Sequence, residues 1–366
     1  MSNHFIVLQH GSHGKADHLN YLRVHLNAVL PTGSAIVWDT KVNEKRNTDG
    51  GLLVCADRLW AELRPALVSF VDEYNANGGH GSGKPPKFSA IGHSFGGLIL
   101  REIVYRIASD PKLVKSLEFH SFVTLATPHL GVSDMPDFMK FGALFIGKRR
   151  SVTYLELLLE TDILYNRLID AEHIAALARF QQRLLYASTY DHLVTFNSGT
   201  LSFTMLEKDI LSSKDRLAPV DGIHPHVLCE RPLEEDSPEG KLVSKLSPRA
   251  LEIRAALLQA GSYRIFPVHF NCGRLLSHAN IIGLGPLYGK YSQDISHHVA
   301  VSIRGGSWNA SMDPTLDKPS YVEQQRRLEE DLLSMSRTNS TLTEEQVQLD
   351  EKALENEMEA DLTNEP

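Results

Sequence analysis

Gly92-His93-Ser94-Phe95-Gly96 is the stretch that decides the fold, and the short apolar run Lys87-Phe88-Ser89-Ala90-Ile91 comes directly before it. Residues 97–105 follow with apolar side chains at helical spacing. A strand, a sharp turn and a helix are the context in which Gly-x-Ser-x-Gly forms a nucleophile elbow. Its two glycines leave room for a tight turn and for close packing of strand and helix. We therefore predict that Ser94 lies on a strained turn with its hydroxyl above the edge of a sheet.

A second glycine-rich turn, Gln9-His10-Gly11-Ser12-His13-Gly14, follows the apolar run Phe5-Ile6-Val7-Leu8. Beside a nucleophile elbow, a turn after an early strand supplies one backbone N–H of the oxyanion hole, and the residue after the nucleophile supplies the other. These residues are Ser12 and Phe95. Each such donor contributes about 3–4 kcal/mol to transition-state stabilisation. We expect both amides to form an oxyanion hole; the alternative is a turn that only reverses the chain.

Strand and helix patterns alternate along the first half of the chain, and further strands follow. The predicted helices are residues 16–30 and 51–74, and the predicted strands are 35–38, 121–126, 183–189 and 262–270, besides those already named. This alternation implies right-handed crossovers and a mostly parallel sheet flanked by helices. The expected fold class is therefore α/β.

We place one domain at residues 1–300 and an acidic polar tail, helical or disordered, at 315–366. Residues 133–180 are rich in Met, Phe and Leu and predict a helical cap above Ser94; ordinary core helices are the alternative. Residues 212–247 are rich in Pro, Gly, Asp and Glu and predict a surface excursion.

Charge excludes one class of partner. The net charge is −8, but from Tyr321 onward 13 acidic and 4 basic residues contribute −9, which leaves the rest near +1. Nucleic-acid binding requires a concentrated basic face, so no nucleic-acid partner is expected. The three cysteines are too few and too scattered for a disulfide framework. With no evident secretory signal or membrane-spanning run, we expect a cytoplasmic protein.

A serine hydroxyl is a weak nucleophile that needs a neighbouring base, which an acid orients. In elbow enzymes these follow in the chain order Ser, Asp or Glu, His. Asp191 stands just after the predicted strand 183–189, and His278 follows the last strand. The alternatives are Asp221 and Asp162 for the acid, and His297 and His298 for the base.

Five other histidines have different expected roles. His269 lies within a strand pattern, and His93 is expected to shape the wall of the pocket. His10, His13 and His129 lack the spacing of metal ligands, so neither a metal nor a cofactor is expected.

Seven segments together resemble the serine esterases of the domain-of-unknown-function 676 (DUF676) group, intracellular lipase-like α/β-hydrolases of fungi, plants and protists. They are His-Gly-Ser-His-Gly (10–14), His-Leu-Asn-Tyr-Leu (18–22), Asn-Thr-Asp-Gly-Gly (47–51), Gly-His-Ser-Phe-Gly-Gly-Leu (92–98), Ala-Thr-Pro-His-Leu-Gly (126–131), residues 186–194 and Ser-His-Ala-Asn-Ile-Ile (277–282). The resemblance covers roughly residues 4–285. It implies an α/β-hydrolase fold with Ser94 as nucleophile, Asp191 as acid and His278 as base.

Two features depart from the family pattern. Members usually carry Leu and Trp where Ser12 and His13 stand, which implies a less apolar floor of the acyl pocket. Some relatives carry a His-x-x-x-x-Asp acyltransferase motif, but here His13 and Asp17 are one residue too close. Transferase activity is therefore not predicted.

The expected function is that of a serine esterase or lipase that cleaves carboxylic esters of lipids, either acylglycerol or phospholipid, through an acyl-enzyme. An apolar cap that opens at a lipid surface favours this substrate class. A membrane or lipid droplet is the expected peripheral partner, and the sequence does not indicate whether the protein has protein partners. The alternatives are a thioesterase or acyltransferase with the same triad and a catalytically idle interaction protein.

Overall fold

The computed structural model describes residues 2–79, 84–135, 151–202, 224, 226–233, 246–270, 274–284 and 293–305. Its strands are β1 (His4–Gln9), β2 (Ala35–Asp39), β3 (Lys87–His93), β4 (Glu118–Leu125), β5 (Gln182–Ser188), β6 (Arg231–Pro232) and β7 (Arg264–Val268). They form one sheet in the order β2-β1-β3-β4-β5-β7-β6. All neighbours are parallel except β6, which pairs antiparallel with β7.

The α-helices of the described residues lie between these strands or after β7. They are α1 (Asn20–Val29), α2 (Leu52–Ala76), α3 (Phe95–Ser109), α4 (Leu113–Ser116), α5 (Val152–Leu157), α6 (Ala171–Ala178), α7 (Phe196–Thr200), α8 (Pro248–Leu258), α9 (Arg274–Asn280) and α10 (Gln293–Arg304). None of them is long and apolar enough to cross a bilayer.

Both faces of the sheet are buried. Phe5 and Val7 of β1 belong to the apolar cluster that includes α2 and α3, and Ile6 and Leu8 belong to the cluster that includes α1 and α10. Each side chain of this size contributes about 1.5–3 kcal/mol when fully buried. Burial on both faces explains why the parallel strands have continuous apolar runs. The predicted mostly parallel sheet with flanking helices is confirmed.

The predicted cap, residues 133–180, is only partly described, since 136–150 lie outside the described residues. At its far end, Ile174 and Leu177 of α6 belong to the same buried cluster as Leu98 of α3. This helix therefore packs against α3. The cap itself stays a prediction.

The predicted surface excursion, residues 212–247, contains a segment that returns to the sheet. Val227 is fully buried and forms an antiparallel bridge with Val268, and β6 extends the pairing along β7. Residues 212–223, 225 and 234–245 lie outside the described residues, as does the predicted tail at 315–366.

A buried carboxylate ties α6 to α3. Glu102 has a fully buried side chain and accepts hydrogen bonds from Arg167 (2.8 Å from Nε and from Nη2), Arg106 (2.9 Å) and His173 (2.9 Å). Burial alone would raise the pKa of Glu102, but these hydrogen bonds outweigh it and lower the pKa to about 2. The carboxylate is therefore ionised over the whole neutral range.

We expect Glu102→Gln to lower the free energy of unfolding by about 1.5–3 kcal/mol at pH 7, the contribution of hydrogen bonds to a charged group. Because the pKa of Glu102 falls from 4.5 to about 2 on folding, wild-type stability should decline as the pH falls between those values, and the variant should decline less. Urea unfolding across this pH range measures both effects.

Asp57→Asn is the control, since Asp57 pairs with the same Arg106 (2.7 Å) but its side chain is 69% exposed. Its loss should change the free energy of unfolding by less than about 1 kcal/mol. Equal losses for the two variants would contradict a stabilising role for Glu102.

Candidate active site

The nucleophile candidate lies on a strained turn. Ser94 connects β3 to α3 with φ 52° and ψ −131°, a backbone conformation that residues other than glycine rarely adopt. Such a conformation costs about 1–3 kcal/mol and persists only where its surroundings hold it. The N–H of Ser94 donates to the carbonyl of Leu125 at the end of β4 (2.9 Å). The neighbouring strand thus anchors the turn.

The glycines of the elbow are required by close backbone contacts. A methyl group at Gly96 would overlap the carbonyl oxygens of Gln9 and His10, and one at Gly92 would overlap the backbone of Gly97. The first turn of α3 therefore packs directly onto the end of β1.

Asp191 and His278 meet Ser94 above this edge of the sheet. Asp191 follows β5, its side chain is fully buried, and its Oδ1 accepts from the N–H groups of Leu193 (2.7 Å) and Val194 (3.2 Å). Its Oδ2 lies 2.9 Å from His278 Nδ1, and His278 Nε2 lies 3.0 Å from Ser94 Oγ. Because an ionised carboxylate only accepts, Nδ1 carries the proton in neutral His278, and Nε2 is left free to accept one from Ser94.

The alternative candidates lie elsewhere. Asp162 has a side chain that is 67% exposed and pairs with Arg249, whereas Asp221 lies outside the described residues. His297 and His298 are buried on α10 and lie within hydrogen-bond distance of His224 and Tyr186, respectively. His269 follows β7 and shares a hydrogen bond with Thr189 (2.8 Å).

The side chain of His93 contacts the main chain of His278, the candidate base. Its Nε2–H donates to the carbonyl oxygen of His278 (3.2 Å), and the two rings lie 5.0 Å apart. Burial, together with the neighbouring His278, lowers the pKa of His93 well below its usual value, so the ring stays neutral. The sequence predicted His93 in the wall of the pocket but not this hydrogen bond. Its acceptor is a main-chain carbonyl, which every residue carries, so the sequence holds no signal for it.

The turn after β1 touches Ser94. A Cβ atom on Gly11 would lie 2.7 Å from Ser94 Cβ and 3.2 Å from Ser94 Oγ. Ser12 is the next residue along this turn, and Phe95 is the first residue of α3, where an N–H has no intrahelical acceptor. The two expected oxyanion donors therefore stand on the two segments that meet at Ser94.

The comparison with protein families gives one match over more than half of the chain. The family described as "Putative serine esterase (DUF676)" matches residues 1–204. A curated relative, "Putative lipase ROG1" of Saccharomyces cerevisiae, is 33% identical over 181 residues, which are 44% of this chain and 26% of the relative. The chain thus spans about a quarter of the length of that relative.

Solved structures with a similar fold include a lipase-esterase related protein from Clostridium acetobutylicum (12% identity, 83% of this chain and 94% of that chain, TM-score 0.38). Another is the peroxisomal α/β-hydrolase Lpx1 of Saccharomyces cerevisiae (12% identity, 94% and 87%, TM-score 0.39). A third is a monoacylglycerol lipase from Paleococcus ferrophilus (12% identity, 53% and 76%, TM-score 0.31).

We expect His93→Phe to slow the reaction of Ser94 with a fluorophosphonate probe about tenfold, the equivalent of one hydrogen bond of about 1.4 kcal/mol. Phenylalanine keeps a planar aromatic ring at this position but removes the N–H that donates to the carbonyl of His278. The labelling rate, measured beside the melting temperature, tests this effect.

His120→Phe is the matched control. His120 is equally buried and its Nδ1 shares a 2.7 Å hydrogen bond with Ser121, but it lies near the start of β4, at the opposite edge of the sheet. Its labelling rate should match that of the wild type. Equal slowing of both variants would show that His93 has no particular connection to the reaction of Ser94.

Proposed function

The chain belongs to the family described as "Putative serine esterase (DUF676)", and from this premise we propose that it hydrolyses carboxylic esters of lipids at Ser94. The observation that carries the proposal is the pair of contacts at His278, which lies 2.9 Å from Asp191 and 3.0 Å from Ser94. A base in contact with both a serine hydroxyl and a buried carboxylate is the arrangement that activates serine for acyl transfer.

In the proposed first step, Ser94 Oγ attacks the ester carbonyl carbon while His278 Nε2 accepts the hydroxyl proton. Asp191 keeps the proton of His278 on Nδ1 and stabilises the imidazolium that forms. The N–H groups of Ser12 and Phe95 stabilise the negative charge on the carbonyl oxygen. The tetrahedral intermediate collapses as His278 returns the proton to the departing alcohol oxygen, which leaves an acyl group on Ser94.

In the second step, water attacks the acyl-enzyme. His278 accepts a proton from that water, the same two amides stabilise the second tetrahedral intermediate, and the proton passes to Ser94 Oγ as the carboxylic acid leaves. The sum of the two steps is hydrolysis of one ester bond, with the enzyme unchanged.

The lipid nature of the substrate rests on two supports. The relative from Saccharomyces cerevisiae bears the name of a lipase, and residues 133–180 are rich in large apolar side chains. We propose acylglycerol or phospholipid as the substrate, reached at the surface of a membrane or lipid droplet on the cytoplasmic side.

Ser94→Ala should lower the hydrolysis of p-nitrophenyl butyrate by at least about 10⁴-fold, because removal of the nucleophile disables the whole relay. Ser69→Ala, a change on the exposed face of α2 where the Ser69 hydroxyl donates a hydrogen bond to Glu73 (2.9 Å), is the control and should retain full activity. Release of fatty acid from phosphatidylcholine vesicles and, in a separate assay, from a triacylglycerol emulsion then identifies the substrate class. Equal activity of Ser94→Ala and the wild type would refute the proposal.

A further inference from the structure

The turn after β1 needs an external support. His13 adopts φ 54°, a left-handed conformation that is unfavourable for a residue with a Cβ atom. Gly11, two residues earlier, lies against Ser94, so the turn has little room to move toward Ser94. Ser12 stands between these two residues, and the direction of its N–H therefore depends on how both are held.

Residues 44–49 supply that support. The N–H of His13 donates to Thr48 Oγ1 (2.9 Å), and His13 Nε2 lies 2.8 Å from Asp49 Oδ1. Two further hydrogen bonds join the same segments, from the N–H of Lys45 to the carbonyl of Gly14 (2.9 Å) and from the N–H of Ala16 to Glu44 (3.0 Å). Thr48 is itself fixed, because its hydroxyl donates to the carbonyl of Lys45 (2.8 Å).

The His13–Asp49 contact is partly buried rather than fully exposed to solvent. The two side chains are 27% and 20% exposed, so water screens their interaction less than it screens a surface pair. The imidazole of His13 also packs edge-on against the ring of Tyr154 on α5, with 6.2 Å between ring centroids. The side chain is therefore held by Asp49 at Nε2 and by Tyr154 at its ring.

We propose that Asp49 is a positioning residue, which acts through His13 to aim the N–H of Ser12 at the oxyanion; this inference rests on the proposed function. Asp49 has no part in the chemical steps derived above. It belongs to the Asn-Thr-Asp-Gly-Gly segment (47–51), to which the mechanism assigns no role. Through the hydrogen bonds of Thr48 and Asp49 to His13, this segment would position the oxyanion donor.

The kinetic consequence is specific. An oxyanion donor acts on charge that develops only in the transition state, so its misalignment lowers kcat and leaves KM nearly unchanged. Complete loss of one donor costs about 10²–10³-fold. Asp49→Ala leaves the donor present but poorly aimed, and we expect a fall in kcat of about 10- to 100-fold.

The experiment measures kcat and KM for p-nitrophenyl butyrate, together with the melting temperature, in five variants beside the wild type. They are Asp49→Ala, Asp49→Asn, His13→Ala, the double variant His13→Ala/Asp49→Ala, and Asp39→Ala as control. Asp39 is a partly buried carboxylate (28% exposed) that pairs with Arg23 and, among the described residues, makes no hydrogen bond to residues 10–14. Its replacement should leave kcat unchanged.

The amide side chain introduced by Asp49→Asn retains an oxygen acceptor for His13, so this variant should keep most of the wild-type kcat. The double variant should be no slower than His13→Ala, because Asp49 acts through His13 and has nothing left to position once that side chain is removed. An unchanged kcat in Asp49→Ala, a rise in KM alone, failure of Asp49→Asn to rescue, or additive losses in the double variant would each overturn the inference. These outcomes leave the proposed function intact, provided that the wild type is active and Ser94→Ala is not. An inactive wild type would overturn both.

Discussion

The close approach of α3 to the end of β1 is the constraint on which the site depends. The carbonyl oxygens of Gln9 and His10 occupy the space in which a side chain at Gly96 would stand, and Ser94 fills the corresponding space at Gly11. This contact fixes the strained turn of Ser94 and the turn that carries Ser12 as one packed unit. Any movement of one segment would displace the other, which is why the geometry of the nucleophile and that of its neighbouring amides cannot vary independently.

The parallel sheet adds the remaining side chains from distant parts of the chain. The carboxyl ends of β3, β5 and β7 lie at the same edge, and the segments that follow these strands carry Ser94, Asp191 and His278. The apolar clusters on both faces keep the strands in register. Side chains held by such a scaffold need little reorganisation to reach hydrogen-bond distance of each other, and low reorganisation is what makes electrostatic stabilisation effective.

Much of the architecture was predictable because its signals are local. Short apolar runs followed by glycine-rich turns predicted strands β1 and β3. The chain order of nucleophile, acid and base in elbow enzymes then predicted which residues would meet above the sheet. The structure brings Ser94, Asp191 and His278 together, while their catalytic roles and the oxyanion donors stay proposals. The Glu102 network was not predictable, because a single acid on an apolar helix has no periodic signal and its partners Arg167 and His173 lie 65 and 71 residues away. The two-residue strand β6 is too short for any pattern.

The position of β7 has a consequence for how relatives are recognised. The match to the family ends at residue 204, whereas His278 and the strand that precedes it lie beyond that boundary. A fragment that stopped there would keep Ser94 and Asp191 but would lose His278, the proposed base, and β5 would become an unprotected edge, prone to pair with another chain. A match over residues 1–204 alone therefore includes the proposed nucleophile but not its proposed proton acceptor.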